Sequence, residues 1–351
     1  MTDDQYMLRC LEIAELGMGN VSPNPMVGCV IVHEDSIIGE GYHVKFGQAH
    51  AEVNAVNAVY AKYPDTADSL LSNATVYVNL EPCAHYGKTP PCADLLVRSG
   101  VKKVVIGNTD PFADVNGKGV LKLKDAGVTV VTGILEEKCR EFNRRFFTRV
   151  TQQRPFIVLK WAETANGYFA PKNTLQEWIS GPLAKKLVHK WRTEEDAILI
   201  GKHTAIFDNP QLGAREWMGK NPIRIVIDKH LQVPSTHHVF NNISKTILFN
   251  EVKTEVLDNI HYIQMEDMQY YLPQKIAFQL YLMDIQSVII EGGANLLTQF
   301  IEAGLWDEAR VFNSAASWDE GITAPEIRGI LVDQVAVGLD RLSIFKNSKT
   351  L

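Results

Sequence analysis

Four side chains in the first hundred residues have the types and spacing for metal-assisted hydrolysis. They are His50 and Glu52, then Cys83 directly after Glu81-Pro82, then Cys92. One imidazole and two thiolates are good zinc ligands and leave a fourth tetrahedral position for water. Zinc in such an open site lowers the pKa of that water toward about 7, which makes a nucleophile available at neutral pH. A carboxylate that stands close by without binding the metal can carry the proton to a leaving amine. Zinc enzymes that deaminate nucleobases use this combination, so His50, Cys83 and Cys92 are the candidate ligands and Glu52 the candidate catalytic proton carrier. A closed structural zinc site usually has four protein ligands; only three good ones are found here, which favours a water-bearing site over a structural one.

The elements that must hold these residues can be read from apolar, β-branched runs alternating with amphipathic stretches of helix length, an α/β pattern. In the first half, strands are expected over 29–32, 75–79, 102–107 and 128–131, and helices over 4–16, 50–63, 92–98, 119–125 and 136–149. His50 and Glu52 open the second helix, where positions two apart diverge by about 200°, so only one of them points straight at a metal. Cys83 follows a strand end. Cys92 starts a helix, whose N-terminus favours thiolate over thiol. The polar stretch Thr151-Gln152-Gln153-Arg154-Pro155 marks a domain boundary, giving domains over 1–148 and 154–351. In the second half, strands are expected over 156–161, 197–200, 223–228, 246–249, 288–290 and 308–312. Helices follow over 181–195, with Pro182 in its first turn, and 294–303.

No G-x-G-x-x-G follows a strand in the second half, so a standard Rossmann fingerprint is not indicated. Two other strand-to-helix turns occur, Ile200-Gly201-Lys202-His203-Thr204 and Ile290-Glu291-Gly292-Gly293-Ala294. Paired glycines let backbone N–H groups approach an anion at a helix start, although Gly-Gly equally makes a plain left-handed turn.

Composition narrows the field. At 351 residues the chain has room for about two domains. With 46% hydrophobic and 22% charged residues it is an ordinary globular sequence. A net charge of -6 argues against a general nucleic-acid binder. No run approaches the roughly 20 apolar residues of a membrane span. Met1-Thr2-Asp3-Asp4-Gln5 is polar and acidic rather than a secretory signal, so a cytoplasmic location is expected. Five cysteines are too few, and odd in number, for a disulfide scaffold.

Cys83 and Cys92 are separated by eight residues, where nucleobase deaminases usually have two. The inserted Ala84-His85-Tyr86-Gly87-Lys88-Thr89-Pro90-Pro91 is stiffened by Gly and two Pro and reads as a specificity loop over the metal pocket. The run Glu81-Pro82-Cys83-Ala84-His85-Tyr86-Gly87-Lys88-Thr89-Pro90-Pro91-Cys92 resembles the bifunctional riboflavin-biosynthesis deaminase/reductase family. Ser22-Pro23-Asn24-Pro25-Met26-Val27-Gly28 and Gly39-Glu40-Gly41-Tyr42-His43 are similar to the same family, and the resemblance extends over essentially the whole chain.

The resemblance implies an N-terminal cytidine-deaminase-like α/β/α domain with one Zn²⁺, followed by a dihydrofolate-reductase-like α/β domain that uses NADPH. The first would hydrolyse the 2-amino group of a diaminopyrimidinone carrying ribose 5-phosphate, and the second would reduce the ribosyl group to ribityl phosphate. Asn24, His43, His85 and Lys88 match deaminase-substrate positions. Asn24 has a donor and an acceptor for a pyrimidine edge but also reads as a turn residue between prolines. His43 also reads as a strand-end histidine. Lys88 suits a phosphate. Lys160, Gln176, Arg192, Leu212, Arg215 and Glu291 match reductase-substrate positions, with the two arginines suited to bidentate phosphate contact. Ala162, Trp178, Thr204, Asp208, Gly292 and Gly293 match positions facing NADPH.

Departures from the family pattern occur at Phe112-Ala113-Asp114, at Thr164-Ala165-Asn166-Gly167, where Ser-Leu-Asp-Gly is frequent, and at Gln176, where a small residue is usual. No catalytic acid is evident in the second half, which fits a cofactor-borne reduction. Small phosphoribosyl pyrimidines are the expected partners, with neither nucleic acid nor membrane. Both folds often pair through sheet edges or helices, so a homo-oligomer is compatible with the sequence. Two rival readings are a deaminase whose second domain binds phosphoribosyl compounds without turnover, and a tRNA or cytidine deaminase. The acidic chain and long Cys83–Cys92 loop speak against the latter.

Overall fold

The computed structural model describes residues 1–84, 86, 90–112, 115–172 and 179–348. The chain forms two compact units, Met1–Gln153 and Arg154–Leu351. The first comprises α1 (Asp3–Glu15), β1 (Gly28–His33), β2 (Ser36–Tyr42), α2 (Ala51–Lys62), α3 (Ala67–Leu71), β3 (Thr75–Leu80), α4 (Cys92–Arg98), β4 (Lys103–Asn108), α5 (Lys118–Asp125), β5 (Thr129–Thr132), α6 (Glu136–Phe142) and α7 (Arg144–Gln152). Its sheet runs β2-β1-β3-β4-β5, antiparallel from β2 to β3 and parallel from β3 to β5.

Period-two alternation divides the strand residues between two cores. Cys29, Ile31, Val76, Val78, Val104 and Ile106 pack with α2 to α5. Val30, Val32, Tyr77 and Val105 pack with Tyr6, Met7 and Cys10 of α1 and with Cys139. The unit is therefore an α/β/α sandwich of the cytidine-deaminase type, as expected. Three features differ from the sequence reading. β2 and the short α3 were not expected, and the helix expected over 136–149 is broken at Asn143. Gly39 and Gly41 on β2 explain the close seating of α2, since a Cβ on Gly41 would lie 2.3 Å from the Ala55 nitrogen. That contact brings the start of α2 beside the end of β2, where His43 follows.

The second unit comprises β6 (Phe156–Glu163), β7 (Tyr168–Ala170), α8 (Pro182–Glu194), β8 (Ala197–Gly201), α9 (Lys202–Asp208), β9 (Ile223–Ile227), β10 (Thr246–Asn250), β11 (Glu255–Leu257), β12 (Ile260–Gln264), α10 (Leu272–Leu282), β13 (Ser287–Ile290), α11 (Ala294–Glu302), β14 (Glu308–Asn313), β15 (Ile322–Thr323), β16 (Ile330–Val337) and β17 (Asp340–Lys346). A 10-stranded sheet runs β11-β12-β10-β9-β8-β13-β6-β14-β17-β16. It is parallel from β12 to β14 and antiparallel at both edges, a mixed α/β sheet of the reductase type.

Ile157, Leu159, Leu199 and Ile225 face α10 and α11. Phe156 and Val158 face Ala184, Val188 and Trp191 of α8, while Ile198 and Ile200 face Ala205 of α9. Arg154 anchors the first residue of this unit through two buried bonds to Asp307, at 2.6 and 2.7 Å. Among the described residues no helix is long and apolar enough to cross a membrane.

Candidate active sites

Three donors meet where α2, the end of β3 and α4 converge. His50 Nδ1 lies 3.7 Å from Cys83 Sγ and 3.4 Å from Cys92 Sγ. Zinc–nitrogen and zinc–sulfur bond lengths at tetrahedral angles separate such donors by roughly 3.6 Å, so the donor set fits zinc in both chemistry and spacing. Among the described residues, no fourth His, Cys, Asp or Glu joins the group. The sulfurs are electrostatically unequal. Cys83 is drawn below the ordinary thiol range, first by the hydrogen bond from the Cys92 thiol, and it also accepts the Cys92 backbone N–H at 3.3 Å. Cys92, as donor to its neighbour and buried, is pushed above the ordinary thiol range. The first backbone N–H of α4 thus points at the Cys83 sulfur.

His50 joins the donor cluster and Glu52 does not, as expected, but the helical-rotation premise behind that expectation does not hold. His50 is the N-cap of α2, with φ -73° and ψ 166°, and lies outside the helical rotation. Both residues therefore line one cavity of about 290 Å³ with Asn24, His43 and Cys83. Glu52 is only 3% exposed. Burial, and then the neighbouring Cys83, raise its carboxyl above the ordinary value.

The Asn24–His43 pair is preset. His43 Nδ1 is 3.0 Å from the Ala49 carbonyl, and His43 Nε2 is 3.1 Å from Asn24 Nδ2. Burial lowers the His43 pKa, favouring the neutral ring. A carbonyl can only accept, so Nδ1 carries the proton and Nε2 accepts from the Asn24 amide. Both His43 nitrogens are occupied, and the Asn24 carbonyl oxygen is left as an acceptor for a ligand. The Asn24 turn is itself held. The Asn143 side chain accepts from Met26 N at 2.9 Å and donates to Met26 O at 2.9 Å, while Asn79 donates to the same carbonyl at 3.0 Å. The break between α6 and α7 thus places Asn143 against the Asn24 turn.

Two further contributors were not read from sequence. The buried Glu81 carboxylate accepts backbone N–H groups from Asp110, Gly117, Gly119 and Val120 at 2.9 to 3.1 Å, which fixes the loop bearing Asp110, Phe112 and Val115 on the cavity wall. Arg149 of α7 lines the same cavity with Phe146 and Val150. Their i, i+3, i+4 spacing on an expected helix was the available signal.

A second cavity, of about 330 Å³, lies in the other unit and gathers Lys160, Arg192, Thr204, Asp208, Leu212, Arg215 and Glu291 with Ser180, Lys185 and His189. Arg192 grips Glu291 through Nε at 3.1 Å and Nη2 at 2.7 Å, and donates from Nη1 to the Gly213 carbonyl at 3.1 Å. Burial works to raise the Glu291 pKa, but Arg192 and Lys160 outweigh it and hold it below the ordinary value. Burial lowers Lys160, opposed by Glu291.

Of the residues expected to face NADPH, Thr204 and Asp208 share one face of α9. Ala162 packs against the cluster containing Val158 and Phe312, outside the cavity wall. Gly292 has a different physical reason from the anion approach expected of it: a Cβ there would lie 2.7 Å from the Ile200 Cβ, so glycine lets the turn pack on β8. Gly293, at φ 73°, caps α11 with no side-chain cap bond, which leaves helix N–H groups for an anion. This turn stands at the C-terminal ends of adjacent parallel strands β8 and β13, where open α/β sheets take ligands. The residues present therefore fit a phosphate-bearing cofactor. His85, Lys88, Gln176 and Trp178 lie outside the described residues. The departures at Thr164 and Asn166 form a turn of their own: Tyr168 N donates to Thr164 Oγ1 at 2.9 Å, and Asn166 donates to the Trp318 carbonyl at 2.7 Å, a bond an aspartate could not donate.

Residues 1–108 match the cytidine and deoxycytidylate deaminase zinc-binding region, and residues 155–315 match the RibD C-terminal domain. The chain is 38% identical over 329 residues to the riboflavin biosynthesis protein RibD of Aquifex aeolicus (strain VF5), covering 93% of this chain and 90% of that protein. It is 33% identical over 329 residues to RibD of Escherichia coli (strain K12), covering 89% and 87% of the two. A Thermotoga maritima crystal structure described as a diaminohydroxyphosphoribosylaminopyrimidine deaminase and phosphoribosylaminouracil reductase superposes with a TM-score of 0.89 at 33% identity, covering 98% of each chain. Acinetobacter baumannii RibD gives a TM-score of 0.89 at 32% identity, covering 99% of each. The match over residues 155–315 argues against a chain confined to deamination.

Proposed function

The chain belongs to the bifunctional deaminase/reductase family of riboflavin biosynthesis, and from that premise we propose which substrate groups its two cavities take and what each residue does. The enzyme combines a zinc-dependent deaminase with an NADPH-dependent reductase. Its substrate is a diaminopyrimidinone bearing ribose 5-phosphate. The first unit exchanges the 2-amino group for oxygen, consuming water and releasing ammonia. The second reduces the ribosyl group of that product to ribityl phosphate.

In the first unit His50, Cys83 and Cys92 would hold the zinc, which would supply the Lewis acidity that makes water nucleophilic near neutral pH. Asn24 accepts from the pyrimidine's amino edge, and His43 orients Asn24. Glu52 takes the proton from the attacking water and delivers it to the departing amine. Its raised pKa suits a group that must hold and return a proton. Arg149, and Lys88 by the family pattern, supply positive charge for the phosphate.

In the second unit NADPH supplies the reducing equivalent, with Thr204, Asp208 and the Gly292-Gly293 turn on its side of the cavity; Ala162 and Trp178 join them by the family pattern. Lys160 and Glu291 flank the ribosyl group, and Leu212 packs against it. Gln176 meets it by the family pattern. Arg215 and Arg192 take the phosphate. A guanidinium has five N–H donors. Three of those on Arg192 are engaged by Glu291 and Gly213, which leaves one on each terminal nitrogen for phosphate.

The observation that carries this reading is the three-donor cluster at zinc spacing, sharing its cavity with the buried Glu52. The test follows turnover of the diaminopyrimidinone phosphate by ultraviolet absorbance on metal-analysed protein, with and without NADPH. One zinc per chain, ammonia release without NADPH, and NADPH oxidation only after deamination are expected. Turnover of cytidine in place of the phosphoribosyl pyrimidine would contradict the assignment.

A further inference from the structure

One wall of the reductase cavity contains a histidine that the roles above leave unused. His189 is only 2% exposed and lines the cavity with Lys185 and Arg192. The three stand at i, i+4 and i+7 on α8, one face of the helix. Its Nδ1 accepts the Glu216 backbone N–H at 3.3 Å, so the ring proton of a neutral His189 sits on Nε2. Burial, reinforced by Arg192 and Arg215, depresses the imidazole to about 4 and keeps it neutral near pH 7. No described residue bonds to Nε2.

The segment that His189 grips carries Arg215. It is fastened to α8 at three points: Arg192 Nη1 to Gly213 O at 3.1 Å, Glu216 N to His189 at 3.3 Å, and Lys185 Nζ to the Glu216 carboxylate at 2.5 Å. Ala214 N is held separately by the Asn221 side chain at 2.8 Å. His189 shares its cavity with two arginines without adding charge, and offers a single N–H of fixed direction.

We propose that His189 is a positioning and specificity residue of the reductase: through Nδ1 it latches the Arg215 segment to α8, and through Nε2–H it donates to the phosphate of the substrate. This rests on the reading that the cavity takes the phosphoribosyl product of deamination. The fixed tautomer matters because an imidazole acceptor facing an anion would repel it, whereas a donor supplements the guanidinium groups.

The test compares the full-length wild type, His189→Leu and His189→Gln. NADPH oxidation is measured with the deaminated substrate and with its dephosphorylated riboside, and NADPH binding is titrated by fluorescence as a check on the fold of the unit. In His189→Leu the KM for the phosphorylated substrate should rise about tenfold or more, the loss of a hydrogen bond to a charged group. Its kcat should stay within about threefold, and KM for the riboside should be unchanged. His189→Gln, which can accept at oxygen and donate at nitrogen, should recover most of the loss and stays informative should the leucine variant fail to fold. An unchanged KM in His189→Leu with normal NADPH binding overturns the inference. So does an equal rise for both substrates, the mark of a merely structural role, and so does a glutamine variant that folds yet recovers nothing. Absence of NADPH oxidation by the wild type with either substrate refutes the reading of the cavity itself, and the inference with it.

Discussion

The two cavities solve the problem of placing polar groups in opposite ways. The deaminase cavity gathers its reactive atoms at element junctions close in sequence: the N-cap of α2, the residue group after β3 and the first residue of α4. Its polar groups are preset by backbone bonds, as with His43 on Ala49 O and Glu81 on four N–H groups. The reductase cavity draws Lys160, Arg192, Asp208, Arg215 and Glu291 from separate elements around one sheet, with Arg192 and Glu291 held by an ion pair. A metal site needs a few donors at fixed spacing. A site that clasps a phosphate and a cofactor needs charge balance across a wide surface.

The largest effect expected is loss of the metal. Cys83→Ser should abolish zinc binding and reduce deamination at least about a hundredfold, more than the loss of an outer-shell partner does. NADPH-dependent reduction of substrate supplied already deaminated should persist. Metal analysis with separate assays of the two steps checks this, and a parallel fall in both would show that the cavities are not independent.

Next in size is Glu291→Ala. It leaves Arg192 and Lys160 as buried charges without their carboxylate, which should destabilise the second unit by about 3 kcal/mol and abolish reduction. Differential scanning calorimetry should show the transition of that unit moving while that of the first unit stays. A smaller effect is expected for Glu81→Gln, whose neutral amide oxygen accepts fewer of the four N–H groups. Deaminase kcat/KM should fall several-fold, with zinc content unchanged and about 1–2 kcal/mol lost in denaturant unfolding.

The smallest effect is one of pH. His189 titrates at about 4 in the folded protein against an ordinary 6.5, facing Arg192, Arg215, Lys185 and Glu216. A depressed histidine contributes stability above pH 6.5, and that contribution is lost as pH falls toward about 4. The unfolding midpoint of the second unit should therefore fall over that window, and His189→Gln should flatten the slope.

Much of this organisation was legible in the sequence, and the gaps have physical reasons. The zinc donors were readable because metal spacing tolerates few alternatives, and the inner strands because alternating apolar residues mark both faces of a covered sheet. β2 was missed because Gly39 and Gly41 interrupt the apolar alternation that marks a strand, whereas these glycines seat α2. The single helix expected over 136–149 hid Asn143, an ordinary polar residue until its side chain meets Met26. β16 went unread because it is exposed along nearly its whole length and carries no burial pattern. Glu81 stood inside the quoted motif, but a carboxylate that collects backbone N–H groups from residues 110–120 leaves no periodic signal. His189 reads as one more polar helix residue until Glu216 is seen to fix its tautomer.

The most direct test of the zinc–carboxylate arrangement is Glu52→Gln, measured for zinc content and for ammonia release from the diaminopyrimidinone phosphate on the same sample. Full zinc occupancy with deamination reduced by at least about a thousandfold is the expected result, between the usual gain from general acid–base catalysis and its upper range. Retained deamination, or loss of zinc together with activity, would contradict the assignment of Glu52 as proton carrier beside a three-ligand metal.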